Sequence, residues 1–213
     1  IAVGHSLETW KVPLWAGVNP ADGRPMYRDQ DGNITYRPAE ADDQFFDGGE
    51  EDVEGGFGTR LSYKGISLDA FFQFSYGGTS LPNTERAFLS NQGAFSAGLD
   101  LLNDRWREPG DVTDVARAVP SGVYPFADDF NSLSSYWLYD SSYLRLKSLK
   151  LGYSLPDVIT NRLQISGVRV YASGFNLVTW TSYIGLDPEV AGAFNESSYP
   201  SEKQFNFGIE VNL

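Results

Sequence analysis

The residues from Lys203 to Leu213 alternate without a break, with Phe205, Phe207, Ile209, Val211 and Leu213 on one parity and Gln204, Asn206, Gly208, Glu210 and Asn212 on the other. A period of two sends successive side chains to opposite faces of an extended strand, so this strand is oily on one side and polar on the other. Phe57, Thr59, Leu61 and Tyr63 alternate in the same way with Gly58, Arg60, Ser62 and Lys64. Ile66, Leu68, Ala70, Phe72, Phe74 and Tyr76 then alternate with Ser67, Asp69, Phe71, Gln73 and Ser75. Lys64-Gly65 between these runs is a two-residue turn, which makes the pair a hairpin.

Further strands are expected at about 137–154 and 163–180. A less regular one is expected at about 7–18, where Trp10, Val12, Leu14 and Trp15 lead into the turn-like Asn19-Pro20-Ala21-Asp22-Gly23. Within 137–154, Leu144 and Leu146 have one parity and Leu149, Leu151 and Tyr153 the other, so if both sets face one side a bulge falls near Ser148. Between strands, about 19–55 reads as one acidic, glycine-broken loop and about 77–135 as another, with a short helix expected between Thr84 and Arg107.

Alternation of this kind serves soluble sheets and membrane barrels alike, and three features separate them. The strands run to about ten residues or more, the length that crosses a hydrocarbon layer at a tilt, where ordinary strands average about five or six. A very short turn alternates with very long loops, as in barrels with short inner turns and long outer loops. Aromatic residues fall near the strand ends, at Tyr63, Tyr76, Tyr143, Tyr153, Trp180 and Tyr183, where headgroups would meet them. No run approaches the roughly 18 apolar residues of a membrane helix. Any crossing must therefore use strands, whose backbone groups are satisfied in lipid only by a closed barrel. The fold class expected is all-β, an antiparallel transmembrane β-barrel segment of five or six strands from a larger barrel. Charges on the polar parity, at Arg60, Lys64, Asp69, Arg145, Lys147, Arg169 and Glu210, would then face a wet lumen, since lipid would not tolerate them.

Composition removes most other functions. With 28 acidic against 16 basic residues and a net charge of -12, the chain repels phosphate backbones, so no nucleic acid is expected. It has no Cys and a single His, His5, which leaves little material for thiolate or imidazole chemistry. No G-x-S-x-G elbow or phosphate-cradling glycine loop occurs, and no carboxylate pair can be set across a cleft from spacing alone. Neither an enzyme nor a cofactor is expected. The run Asp29-Gln30-Asp31-Gly32-Asn33-Ile34 resembles part of a calcium loop, but Pro38 stands where a bidentate acid would close it. An ordinary Asp-Gly turn is the favoured reading, with Asp29, Asp31 and Asn33 the only metal candidates. Trp106, Tyr124, Phe126 and Trp137 lie in or beside the long insertion, where they would stack on sugar rings or fold the loop upon itself. The sequence opens at Ile1 without an apolar leader, so any export signal is expected outside it.

Several motifs in one order carry a family resemblance. The run Ser142-Tyr143-Leu144-Arg145-Leu146-Lys147-Ser148-Leu149-Lys150-Leu151-Gly152-Tyr153-Ser154-Leu155-Pro156 resembles a signature near the end of SusC/RagA-type TonB-dependent transporters. Val168 to Leu177 resembles that family's penultimate strand, Gly185-Leu186-Asp187-Pro188-Glu189-Val190 the loop after it, and Tyr199-Pro200 with Phe205 to Ile209 its ending. Trp15 to Pro20, Tyr27-Arg28-Asp29, Leu61 to Gly65, and Asn103-Asp104-Arg105-Trp106 are similar in order and spacing. Leu213 departs from the aromatic residue on which such barrels commonly finish.

The resemblance implies the C-terminal portion of a plugged barrel of about 22 strands, without its plug domain, in the bacterial outer membrane. Its implied partners are the remaining N-terminal barrel and plug, a SusD-like surface lipoprotein, TonB acting through the missing portion, outer-membrane lipid, and a glycan or peptide substrate. The alternative is a soluble carbohydrate-binding β-sandwich of a secreted protein, with the oily face turned to a core.

Overall fold

A computed structural model describes residues 3–7, 9–46, 48–82, 86, 103–118, 132–162, 165–190 and 199–212. The chain divides into two compact units, one of residues 1–50, 78–140 and 190–198, the other of residues 51–77, 141–189 and 199–213.

The second unit is a five-stranded antiparallel sheet. Its strands are β6 (Val53–Tyr63), β7 (Ile66–Tyr76), β10 (Tyr143–Ser154), β11 (Gly167–Thr181) and β12 (Gln204–Asn212), laid side by side in that order. They contain 11, 11, 12, 15 and 9 residues, which meets or exceeds the tilted hydrocarbon span of about 9 to 11. Lys64 and Gly65 close the first hairpin with φ of 47° and 85°. Positive φ at both central residues is what a tight hairpin of matching twist demands.

Register fixes the faces. One row across the sheet reads Leu61, Leu68, Leu151, Ala172 and Phe207, and the row beside it reads Arg60, Asp69, Lys150, Ser173 and Asn206. The oily face is uncovered, with Phe207 81% and Ile209 69% exposed. A sandwich would bury these residues against a second layer, so the soluble-sandwich alternative is overturned here.

Both apolar sets of β10 do face one side. Leu146 opposes Phe72 and Leu149 opposes Ala70, and the register shifts between Leu146 and Ser148 against β7 and β11 alike. Lys147 is the extra residue against β7, while β11 answers it with Asn176 and Leu177, Asn176 taking a φ of 51°. The hairpin from β10 to β11 carries a helix, α1 (Asp157–Arg162), which begins just after Pro156.

The first unit corrects three expectations. Residues 7–18 do not form one barrel strand but two short ones, β1 (Trp10–Pro13) and β2 (Trp15–Val18), outside the large sheet. Pro13 has no N–H to continue a ladder, and the register slips again between Trp15 and Gly17, where Gly17 has a φ of 100°. Residues 19–55 are not one loop. They hold β3 (Pro25–Arg28), β4 (Ile34–Thr35) and β5 (Asp43–Phe46), pairing β2 with β3, β3 with β4 and β1 with β5, and β6 already starts at Val53. The expected strand 137–154 is interrupted, because a 3-10 turn at Ser135–Trp137 and β9 (Tyr139–Asp140, paired with β8, Thr79–Ser80) come before β10. The core here is Trp10, Val18, Leu81, Val115, Ala116 and Trp137. The helix expected between Thr84 and Arg107 lies almost wholly outside the described residues.

Candidate functional site

The polar face of the sheet gathers the charged strand residues into one groove. Arg60 is hydrogen-bonded to Asp69, its register partner on β7. Lys150 lies next in that row and holds its ammonium 4.4 Å from the centre of the Tyr171 ring. Arg169 donates to the Ser67 hydroxyl at 2.8 Å and stands 4.0 Å from the Glu210 carboxylate. Lys64, counted above with the polar parity, sits in the expected hairpin turn, with its ammonium 5.1 Å from the Tyr63 ring. The groove therefore presents Arg60, Lys64, Lys150 and Arg169 against Asp69, with Glu210 beside Arg169, a cationic excess within an acidic chain. Lys150 was missed from sequence because parity counted from Leu144 is inverted by the bulge.

At the other end of the same face, Arg145 is only 3% exposed. Its Nε donates to the Thr179 hydroxyl at 2.9 Å, and its two terminal nitrogens reach both Asp187 oxygens and Glu189. Lys147, carried to this face by the bulge, pairs with Glu189. Asp187 also accepts from the backbone N–H groups of Ser201 at 2.7 Å and Glu189 at 3.0 Å. Burial pushes the Asp187 carboxyl upward, but the hydrogen bonds from Arg145, Ser201 and Glu189 outweigh it and hold the group below its ordinary value. Asp187 and Glu189 were not singled out from sequence. Two acids beside Pro188 look like any loop until a cation of β10 is found opposite them.

The loop aromatics divide. Trp137 is buried in the core of the first unit. Trp106 donates its indole N–H to the Pro20 carbonyl at 3.0 Å and lays its ring against Gly23. Both therefore fold loops onto themselves. Tyr124 and Phe126 lie outside the described residues. Beside this core, burial first and then Tyr139, Asp114 and Asp104 drive the Tyr136 hydroxyl well above the usual tyrosine range.

The Asp29–Asn33 run closes on itself as an Asx turn, with Asp29 Oδ1 accepting from the N–H groups of Asp31 at 3.0 Å and Asn33 at 2.8 Å. Among the described residues, no group of three His, Cys, Asp or Glu is placed to hold a metal ion.

No family model matches the chain. TonB-dependent receptor P3 of Formosa agariphila is 33% identical over 204 residues, 90% of this chain. TonB-dependent receptor SusC of Bacteroides thetaiotaomicron is 27% identical over 215 residues, 99% of it. Among solved structures, the RagAB peptide transporter superposes with a TM-score of 0.75 at 31% identity over 96% of this chain and 23% of its own. The open-open state of the RagAB peptide importer gives 0.77 at 28% identity over 100% and 25%. The chain belongs with the SusC/RagA-type TonB-dependent receptors. It spans about a fifth of these curated relatives, 19% of P3 and 20% of SusC. In such a receptor the five-stranded sheet is a stretch of barrel wall. It is not closed here, since β6 and β12 are its two ends.

Proposed function

We propose that this chain forms part of the wall and outer loops of an outer-membrane importer of oligosaccharides or oligopeptides, partnered by a SusD-like surface lipoprotein. The remaining barrel, the plug and the TonB contact belong to receptor beyond the chain. The observation that carries this reading is the two-faced sheet: an uncovered oily face suits acyl chains, while a polar face rich in Arg and Lys suits a wet lumen. The name of the RagAB peptide transporter favours the peptide branch of the substrate choice.

Within that reading Arg60, Lys64, Asp69, Arg169 and Glu210, with Lys150 added, are the groups on offer to plug or substrate. Arg145 and Lys147 are engaged by Asp187 and Glu189, so they act on the outer loop instead. The family's transport role leaves no reaction for the chain to catalyse.

The test compares neighbouring residues of β12 in the full-length receptor. Phe207→Arg puts a charge toward lipid and is expected to cost about 2–4 kcal/mol near mid-membrane, lowering the folded, heat-modifiable receptor in outer-membrane fractions. Asn206→Arg, turned to the lumen, should leave that amount near wild type. Equal tolerance of the two, or recovery of the receptor in the soluble fraction, would refute the reading.

A further inference from the structure

The polar face of the sheet changes character along its length. At one end its cations are answered from within the chain, because Arg145 and Lys147 are held by Asp187 and Glu189. Toward the Lys64-Gly65 turn they are not. Lys150 holds its ammonium over the Tyr171 ring, Lys64 lies beside the Tyr63 ring, and among the described residues neither is paired with a carboxylate. Apolar rings stand next to Lys150. Phe71 and Phe175 are both register partners of Ser148, one polar row along from Lys150, and they are 44% and 40% exposed. The wall is also kept low here. Tyr171 lies over Gly208, Arg169 over Gly152 and Phe71 over Gly56, each so closely that a Cβ on the glycine would collide with it. Large side chains laid flat on glycines leave a second layer free to approach the strands.

We propose that this patch, Lys150 with Phe71, Tyr171 and Phe175, is a seat for the receptor's own plug, and that the plug surface resting on it presents a carboxylate to Lys150 among apolar side chains. It rests on the transporter reading above, in which the short turn faces the periplasm. A solute in transit meets the wall briefly and in water, so nothing in it need answer a fixed charge or cover two rings. A layer that stays must do both. Drying an ammonium without a partner is strongly unfavourable, so the layer has to bring an acid, and covering two half-exposed rings favours its docking. The end of the face whose charges are satisfied from within suits open water and passing solute; the turn end suits a fixed partner. There is chain enough to supply one, since the match covers 19% of P3 and 20% of SusC, and about four fifths of such a receptor lies elsewhere.

A photo-reactive benzophenone side chain in place of Phe175 in the full-length receptor tests this, with one in place of Phe207 on the oily face as the control. On irradiation of outer membranes, the probe at Phe175 is expected to couple to receptor sequence ahead of the barrel, beside an Asp or Glu, with or without an added oligopeptide. The probe at Phe207 is not. Lys150→Glu should lower the yield at Phe175 by about tenfold, because like charges then face each other across the contact, and Lys150→Arg should keep it. Should Lys150→Glu fail to assemble, Lys150→Gln should still lower the yield several-fold. Coupling at Phe175 to the added peptide or to a surface lipoprotein, or no coupling at all, overturns the seat, as does a yield unchanged in whichever of the Glu and Gln variants assembles. Each of those results, obtained on receptor assembled in the outer membrane, leaves the transporter reading standing. Recovery of the receptor in the soluble fraction would sink that reading, and the seat with it.

Discussion

A guanidinium leaves water at low cost only when its nitrogens find acceptors, and all three nitrogens of Arg145 do, through Thr179, Asp187 and Glu189. Removing it would leave the buried Asp187 carboxylate with its two backbone donors but without the cation that pairs with it. Arg145→Met is accordingly expected to destabilise the receptor by about 3–5 kcal/mol, read as a lower urea midpoint in detergent. The pH dependence has a definite sign. Because the folded Asp187 carboxyl sits below its ordinary 3.8, its contribution is fully present above that value and is lost as pH falls through the depressed one. Acid below about pH 4 should loosen the β11–β12 loop, seen as faster proteolysis there, and Asp187→Asn should flatten that pH response. Gly23 offers a second test in the first unit. Its φ is +73°, and a Cβ would meet the Trp106 ring and Arg117. Gly23→Ala should therefore cost about 1–3 kcal/mol from left-handed strain and overpacking, with faster proteolysis of the outer loops and an unchanged barrel. Little of this was legible in the residues themselves, because Arg145 announces a polar face but not which distant acids will meet it.

At the level of elements, legibility follows periodicity. The strands of the large sheet have period-two runs long enough to survive a bulge, and the mismatch between Leu146 and Leu149 foretold one. The 7–18 segment has an apolar content much like theirs, but Pro13 and the Gly17 turn break its ladder, and what remains pairs locally. Short strands such as β4 and β5 lie in an acidic stretch whose pairing depends on burying Tyr27, Trp10 and Val12 beside them, and no window of the sequence displays that. The bulge itself can be tested. Deleting Lys147 would let β10 run against β7 in continuous register, with Leu144, Leu146, Leu149 and Leu151 on one parity and Arg145, Ser148 and Lys150 on the other, so no side chain changes face. The deletion is therefore expected to keep the heat-modifiable form and, like Lys147→Gln, to lose the Glu189 contact.

The whole sheet has a requirement that no residue or strand within it can meet. Both β6 and β12 end it with a row of backbone donors and acceptors that have no neighbour among the described residues. Each such group is costly in hydrocarbon, so the sheet is stable in a membrane only when further strands close it. Hydrophobic burial cannot substitute, because the face that would drive it is the one lipid already covers. The consequence is measurable by amide exchange in detergent. In the intact receptor, β12 amides should be protected on both sides, since those not bonded to β11 would bond the next strand. In the isolated 213-residue chain, the amides of β7 and β10, paired on both flanks, should exchange more slowly than the half of the β12 amides that point away from β11. Uniform protection across β12 in the isolated chain would mean that its edge is answered from within the chain, and the wall would then be a closed structure in its own right.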